Sequence, residues 1–155
     1  MKRVVILGRG ASGKSTLAAR LGAITGLPVI ELDKIFWRPG LLATPRDQWI
    51  EVQERLVAEE GWIMDGDLGP CDVVDVRVRA ADTILFLDFS LIRCAWRSRG
   101  RGGFWRWLVV YRRQSRPKLM EAIANHAVNA EFHVFRSPRA LRRFVAKVGR
   151  EPRRG

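Results

Sequence analysis

Acid is scarce in the second half of this 155-residue chain. Residues 89–155 hold three Asp and Glu against 17 Lys and Arg, a balance of +14, whereas residues 1–88 hold 13 against 11, a balance of −2. Between Arg93 and Lys118 there are nine basic residues and no acid. A field of that sign attracts something anionic, and nucleotide phosphates and nucleic acid both qualify; a solvated basic surface with no ligand is the plain alternative. Cysteine is nearly absent. Cys71 and Cys94 offer neither a disulfide framework nor metal-ligand spacing, which suits a reducing cytoplasm. No apolar run approaches the ~20 residues of a membrane span, so no membrane partner is expected. The basic-then-apolar start, Met1 to Leu7, is too short for a signal peptide and runs into a glycine loop. His126 and His133 lack any partner pattern and read as structural or surface residues. There is no internal repeat. Residues 1–150 are expected to form one domain, followed by a disordered basic tail over 151–155.

Short apolar, β-branched runs predict strands at Arg3–Leu7, Pro28–Leu32, Trp62–Met64, Thr83–Asp88 and Phe132–Phe135. They are apolar almost throughout rather than alternating, which points to a parallel sheet covered on both faces. Helical spacing lies between them: Leu17, Leu21 and Ile24; then Trp49, Val52, Leu56 and Val57; then Leu141, Phe144, Val145 and Val148. Thr44-Pro45-Arg46-Asp47 reads as a helix start with Thr44 as N-cap and Asp47 reaching back, and Ser137-Pro138 as another cap pair. A long helical stretch over 104–125 is expected to kink or break at Pro117. Strand and helix alternate, so the expected class is a three-layer α/β fold.

The run Gly8-Arg9-Gly10-Ala11-Ser12-Gly13-Lys14-Ser15-Thr16 completes the spacing G-x-x-x-x-G-K-S. Gly8 and Gly13 permit backbone angles that side chains forbid, so consecutive N–H groups over Gly10, Ala11, Ser12 and Gly13 can face one anion. The helix that starts here adds its positive end. Lys14 would reach the β- and γ-phosphates, the Ser15 hydroxyl would ligate Mg²⁺, and Thr16 would lie near the α-phosphate. The expected ligand is ATP with Mg²⁺.

In open parallel sheets, ligands sit beyond the carboxyl ends of the strands, so the acids there carry weight. Asp65 is the first choice for the metal side, with Gly66 allowing close approach. Asp33, after the second strand, falls on the acceptor side as binder or general base, and Asp67 is a weaker candidate there. Asp88 lies near the end of the fourth strand. Each could instead be a cap or turn residue.

Several stretches together resemble the small P-loop proteins labelled DNA topology modulation proteins. They are the glycine loop, Leu32-Asp33-Lys34-Ile35-Phe36-Trp37-Arg38-Pro39-Gly40, Thr44-Pro45-Arg46 with Trp49, and Trp62-Ile63-Met64-Asp65-Gly66. Val76 to Asp88, Tyr111 to Pro117 and Arg136-Ser137-Pro138-Arg139 extend the likeness to nearly the whole chain. That group is similar to adenylate and shikimate kinases. The resemblance implies five parallel strands in the order 2-3-1-4-5 and an arginine-bearing lid, at about residues 93–118. It sets Asp33 where shikimate kinase holds its acceptor hydroxyl. It sets Asp65-Gly66 at the start of the adenylate kinase Asp-Gly-Phe-Pro-Arg motif, from which Asp67-Leu68-Gly69 departs; an anionic Asp67 would repel a phosphate placed there.

Arg93 and Arg97, one helical turn apart, are the preferred lid contacts to phosphate, with Arg97 slightly ahead, and Arg112, Arg113 and Arg116 behind them. Trp96, Phe104, Trp105, Trp107 and Tyr111 interleave with arginines, as in surfaces that stack nucleobases, although core packing explains them equally well. Arg136 or Arg139 is expected near the adenine. Two functions follow. One is an ATP-dependent kinase acting on a small acceptor, with Lys14, Asp33, Asp65 and Arg97 at its centre. The other is a non-kinase P-loop ATPase that meets nucleic acid through the basic half. A monomer or weak homodimer suits either.

Overall fold

The computed structural model describes residues 1–68, 71–89, 116–127 and 129–150. Its central strand is β1 (Arg3–Gly8). The chain continues through α1 (Lys14–Thr25), β2 (Val29–Glu31), α2 (Leu32–Phe36), β3 (Trp37–Arg38), β4 (Leu42–Ala43), α3 (Arg46–Val57) and β5 (Trp62–Asp65). Then come α4 (Val74–Ala80), β6 (Thr83–Leu87), α5 (Arg116–His126), β7 (Glu131–Phe135) and α6 (Pro138–Val148). Five strands form one sheet in the order β2-β5-β1-β6-β7, all pairs parallel. Counted along the sheet strands alone, this is the expected 2-3-1-4-5. The remaining pair, β3 and β4, is a small antiparallel hairpin that the sequence reading did not anticipate.

Strand β1 shows why the strands read as unbroken apolar runs. Val4 and Ile6 face one side of the sheet and pack with Leu17, Ala18 and Leu21 of α1 and Val145 of α6. Val5 and Leu7 face the other and pack with Trp49 of α3, Val78 of α4 and Leu119 and Ile123 of α5. Side chains alternate across a strand, so a strand covered on both faces needs apolar residues at every position. The edge strands are covered less well: Val29, Phe132 and Val134 remain exposed.

One helix start departs from the expectation. The Ser137 Oγ accepts from the Ala140 N–H at 3.3 Å with Pro138 in the first turn, as expected. Thr44, however, does not cap α3. Its hydroxyl and its N–H both go to the Phe36 carbonyl, at 2.6 and 3.1 Å, and Pro45 occupies the cap position with no side-chain bond. Fastening the hairpin to α2 outcompetes a local cap. Pro117 lies within α5, beside the first of that helix's described residues. The part of the expected helix from 104 to 115 lies outside the described residues.

Candidate active site

The glycine loop joins β1 to α1 beyond the carboxyl end of the sheet. Gly8 has φ 141°, and a Cβ there would stand 2.7 Å from the Leu87 carbonyl oxygen. Glycine therefore lets β1 and β6 close together as the loop begins. Ala11 and Gly13 also have positive φ, at 58° and 96°, and the Ser12 N–H donates to the Arg9 carbonyl at 3.2 Å, which closes the loop on itself. The Lys14 ammonium lies back over the loop and donates to the Arg9 carbonyl at 3.2 Å. Helix α1 then begins with no acid of its own in its first turn, so its positive end faces the loop.

Strand β5 delivers Asp65 beside this loop, because its last residue pairs in register with Ile6 of β1. The Ser15 side chain lies near the carboxylate and favours its ionised form. Burial raises the Asp65 pKa first of all, while Ser15 and the Lys14 charge partly oppose it. The residue is 5% exposed, and its Oδ1 has no hydrogen-bond partner. A buried acceptor left open in this way is costly and calls for a donor or a cation. A hydroxyl and a carboxylate are the hard oxygen donors that Mg²⁺ takes, and Mg²⁺ uses only one or two carboxylates beside phosphate oxygens and water. Among the described residues, no group of three His, Cys, Asp or Glu side chains surrounds a metal position.

Asp33 is the second residue of α2, not a residue trailing the strand. It touches solvent, yet the protein behind it makes burial the leading influence and raises its pKa. Lys14 pulls the value down, and the charges of Asp65, Asp72 and Asp67 push it up again. Asp33, Asp65 and Asp67 therefore share one electrostatic neighbourhood with Lys14, as the strand-end argument expects.

Two arginines escaped the sequence reading. Arg9, inside the glycine loop, is buried; its Nη1 donates to the Phe89 carbonyl at 3.3 Å and its Nη2 lies 3.7 Å from Asp88 Oδ1. It ties the loop to the end of β6. Arg77 of α4 is 0% exposed. Its Nη1 donates to Asp72 Oδ1 at 2.8 Å and Gln53 Oε1 at 3.1 Å. Its Nη2 donates to Asp72 Oδ2 at 2.6 Å and the Gly66 carbonyl at 3.1 Å. Gly66 itself has φ 151°, and a Cβ there would meet the Leu32 Cβ at 2.8 Å. The turn after Asp65 is thus held from both sides. No motif spacing marks Arg77; the only sequence signal is a charged residue amid an apolar helical face.

Arg136 and Arg139 are exposed at the turn after β7. Arg93, Arg97, Arg112, Arg113 and the interleaved aromatics lie outside the described residues, as does Cys94. Cys71 is an exposed free thiol. His133 packs on Phe144 with ring centres 4.9 Å apart and has Glu131 Oε2 at 3.3 Å, a structural position as expected. Among the described residues, no helix is long and apolar enough to cross a membrane.

No protein-family model and no curated protein matches this sequence. Solved structures do. A shikimate kinase from Acinetobacter baumannii in complex with shikimate superposes with a TM-score of 0.62 at 14% identity, covering 96% of this chain and 90% of that one. A sugar kinase from a Janibacter species gives 0.54 at 21% identity, with coverages of 96% and 90%. A deoxyadenosine kinase from M. mycoides with bound dATP gives 0.56 at 13% identity, with coverages of 95% and 98%. The fold is that of the small P-loop kinases. At such identities the likeness concerns the fold, and it does not extend to the narrower resemblance to DNA topology modulation proteins.

Proposed function

We propose that this chain is an ATP- and Mg²⁺-dependent phosphotransferase acting on the hydroxyl of a small acceptor. The observation that carries this reading is the Asp65 carboxylate, buried near Ser15 and Lys14 with an Oδ1 that has no hydrogen-bond partner. A helix-start hydroxyl and a strand-end carboxylate converge where the glycine loop would hold a triphosphate.

In this reading the loop N–H groups and Lys14 hold the β- and γ-phosphates, with the ammonium leaving the Arg9 carbonyl for a phosphate oxygen. Ser15 and Asp65 hold the cation; when bound, it neutralises charge on the phosphates. Asp33 hydrogen-bonds the acceptor hydroxyl and takes its proton. The acceptor oxygen forms a bond to the γ-phosphorus, the bond from that phosphorus to the β,γ-bridging oxygen breaks, and ADP leaves. Little covalent work falls to the protein, so positioning and charge dominate.

The test is ADP release from ATP·Mg²⁺ with and without small hydroxyl compounds, with Lys14→Ala as the blank. The expected result is phosphate transferred to an acceptor at a rate that Lys14→Ala abolishes. If DNA stimulates turnover and no small hydroxyl compound does, the reading is wrong.

A further inference from the structure

Charge is divided unevenly between the two sides of the sheet. Helices α1 and α6 cover one side, where Leu17, Leu21 and Ile24 of the first and Leu141, Phe144, Val145 and Val148 of the second join one apolar cluster. The two helices are neighbours, since a Cβ on Gly149 would lie 3.9 Å from Ile24 Cδ1. Neither helix contains an acid. Arg139, Arg142, Arg143 and Lys147 of α6, Arg150 in the turn after it and Arg20 of α1 are all exposed. At 3.6 residues per turn the five that follow β7 fall within roughly 140° of arc. Val145, buried, marks the opposite side of the helix. Among the described residues none of the six cations has an ion-pair partner. Like charges one turn apart, such as Arg139 with Arg143 and Arg143 with Lys147, repel. The helices on the other side mix signs: α3 alone sets Asp47, Glu51 and Glu54 beside Arg46 and Arg55. The cationic face is therefore a property of one layer, and an anion outside the protein is what would relieve its repulsion.

The residues between the cations narrow that anion. They are small: Ala140 and Ala146 on α6, Ala19 and Ala23 on α1. The exposed side of α6 offers no hydroxyl, amide or aromatic ring. It can hold phosphate, but it has nothing to read a base edge or to stack a base. Phosphate without sequence is common to a phospholipid headgroup layer and a duplex backbone. Shape favours the first. Two neighbouring helices on one side of a sheet present their cations to a plane together, whereas a cylinder meets one helix at a time unless an element enters its groove. The sequence reading set a membrane aside because no segment can cross one. A face that rests on headgroups needs no crossing segment.

We propose that the α1/α6 face docks this protein on the headgroups of an anionic phospholipid bilayer, without insertion. Arginine and lysine hold the lipid phosphates, and the alanines between them let the surface come close. The docking is independent of the phosphotransferase reading, because it uses the outside of the helices and not the glycine loop.

The test is co-sedimentation of the full chain with large vesicles of phosphatidylcholine, alone or mixed with phosphatidylglycerol. Binding to the mixed vesicles is expected to be at least about tenfold tighter at 0.1 M salt and to vanish near 1 M, where the screening length falls to about 3 Å. Each cation at such a surface contributes about fivefold, so Arg142→Glu/Arg143→Glu/Lys147→Glu should weaken binding about 100-fold or more. Arg46→Glu/Arg55→Glu/Arg79→Glu changes the net charge equally from the other side of the sheet. It should stay within about threefold of the parent, because those charges lie more than a screening length from the bilayer. Thermal melts establish that each variant is folded; if the α6 Glu variant is not, Arg142→Gln/Arg143→Gln/Lys147→Gln replaces it, with a loss of about tenfold or more. Equal binding to both vesicle types overturns the inference, as does an equal loss in the two triple variants. Binding to duplex DNA that the α6 variant abolishes, with none to vesicles, assigns the face to nucleic acid and overturns it as well.

Discussion

Both guanidinium nitrogens at the tip of Arg77 bond the two oxygens of Asp72, at 2.8 and 2.6 Å, in a position without solvent. Burial raises the Asp72 carboxyl, and the Arg77 charge and hydrogen bonds more than reverse it, leaving the pKa lowered. The same guanidinium holds the carbonyl of Gly66, so the pair fixes the turn that follows Asp65. Arg77→Met should destabilise by about 3–5 kcal/mol, since it leaves Asp72 buried and unpaired. The double variant Arg77→Met/Asp72→Leu should recover most of that in urea midpoints. Equal midpoints for the single and double variants would show that no uncompensated charge is involved.

Asp65 behaves in the opposite sense. Its pKa is raised, so its ionised form is disfavoured in the folded state and weakens the fold at neutral pH. Asp65→Asn should therefore raise stability by about 1 kcal/mol while removing the proposed phosphoryl transfer. Thermal melts and rates on the same preparation check this; a lower Tm contradicts it.

Asp82 supplies the acid limb together with Asp72. Burial alone would raise its pKa. The Thr83 hydroxyl at 2.7 Å and the N–H groups of Lys2 and Arg3 at 2.6 and 3.0 Å outweigh that and lower it. Both carboxylates are more acidic folded than unfolded. The stability they supply is complete above the unfolded value of 3.8 and is lost as pH falls through their lower folded values. Asp82→Asn should cost less than about 1 kcal/mol, because solvent screens this partly exposed group. It should also make the loss of stability below pH 3.8 shallower, which urea titrations across acid pH can measure.

Gly8→Ala should be severe. The added Cβ would stand 2.7 Å from backbone oxygen at Leu87, at a φ of 141°. A loss of about 2–4 kcal/mol is expected, and the proposed ATP binding should weaken because the glycine loop must shift. Gly40→Ala is the control: its φ is also positive, at 78°, but nothing lies within 4 Å of the added atom. It should cost about 1 kcal/mol and leave ATP affinity unchanged.

The candidate site was legible as a proposal because its signals are local: Gly8, Gly13, Lys14 and Ser15 are marked by spacing, and Asp33 and Asp65 by where the apolar runs end. The hairpin after α2 was not legible, since Trp37-Arg38 and Leu42-Ala43 are two-residue strands too short to show a period. Thr44 was misread because its hydroxyl had two satisfactory partners, a helix N–H from which it would accept as a cap and a carbonyl eight residues back to which it donates, and only packing selects between them.

The sequence by itself determined the layered fold and the glycine loop between β1 and α1, because apolar strands, a helix start and Gly-Lys-Ser act over a few neighbouring residues. Tertiary structure alone decided that Arg77 is buried, since the partners that make burial tolerable lie 5, 11 and 24 positions away. It alone decided that Asp65 meets Ser15, because β5 lies beside β1 only once the sheet has formed, although 50 residues separate them in the chain. A charged side chain in isolation looks like surface. Whether it becomes a clamp, a metal ligand or a solvated tip depends on which distant groups the sheet brings within a hydrogen bond of it.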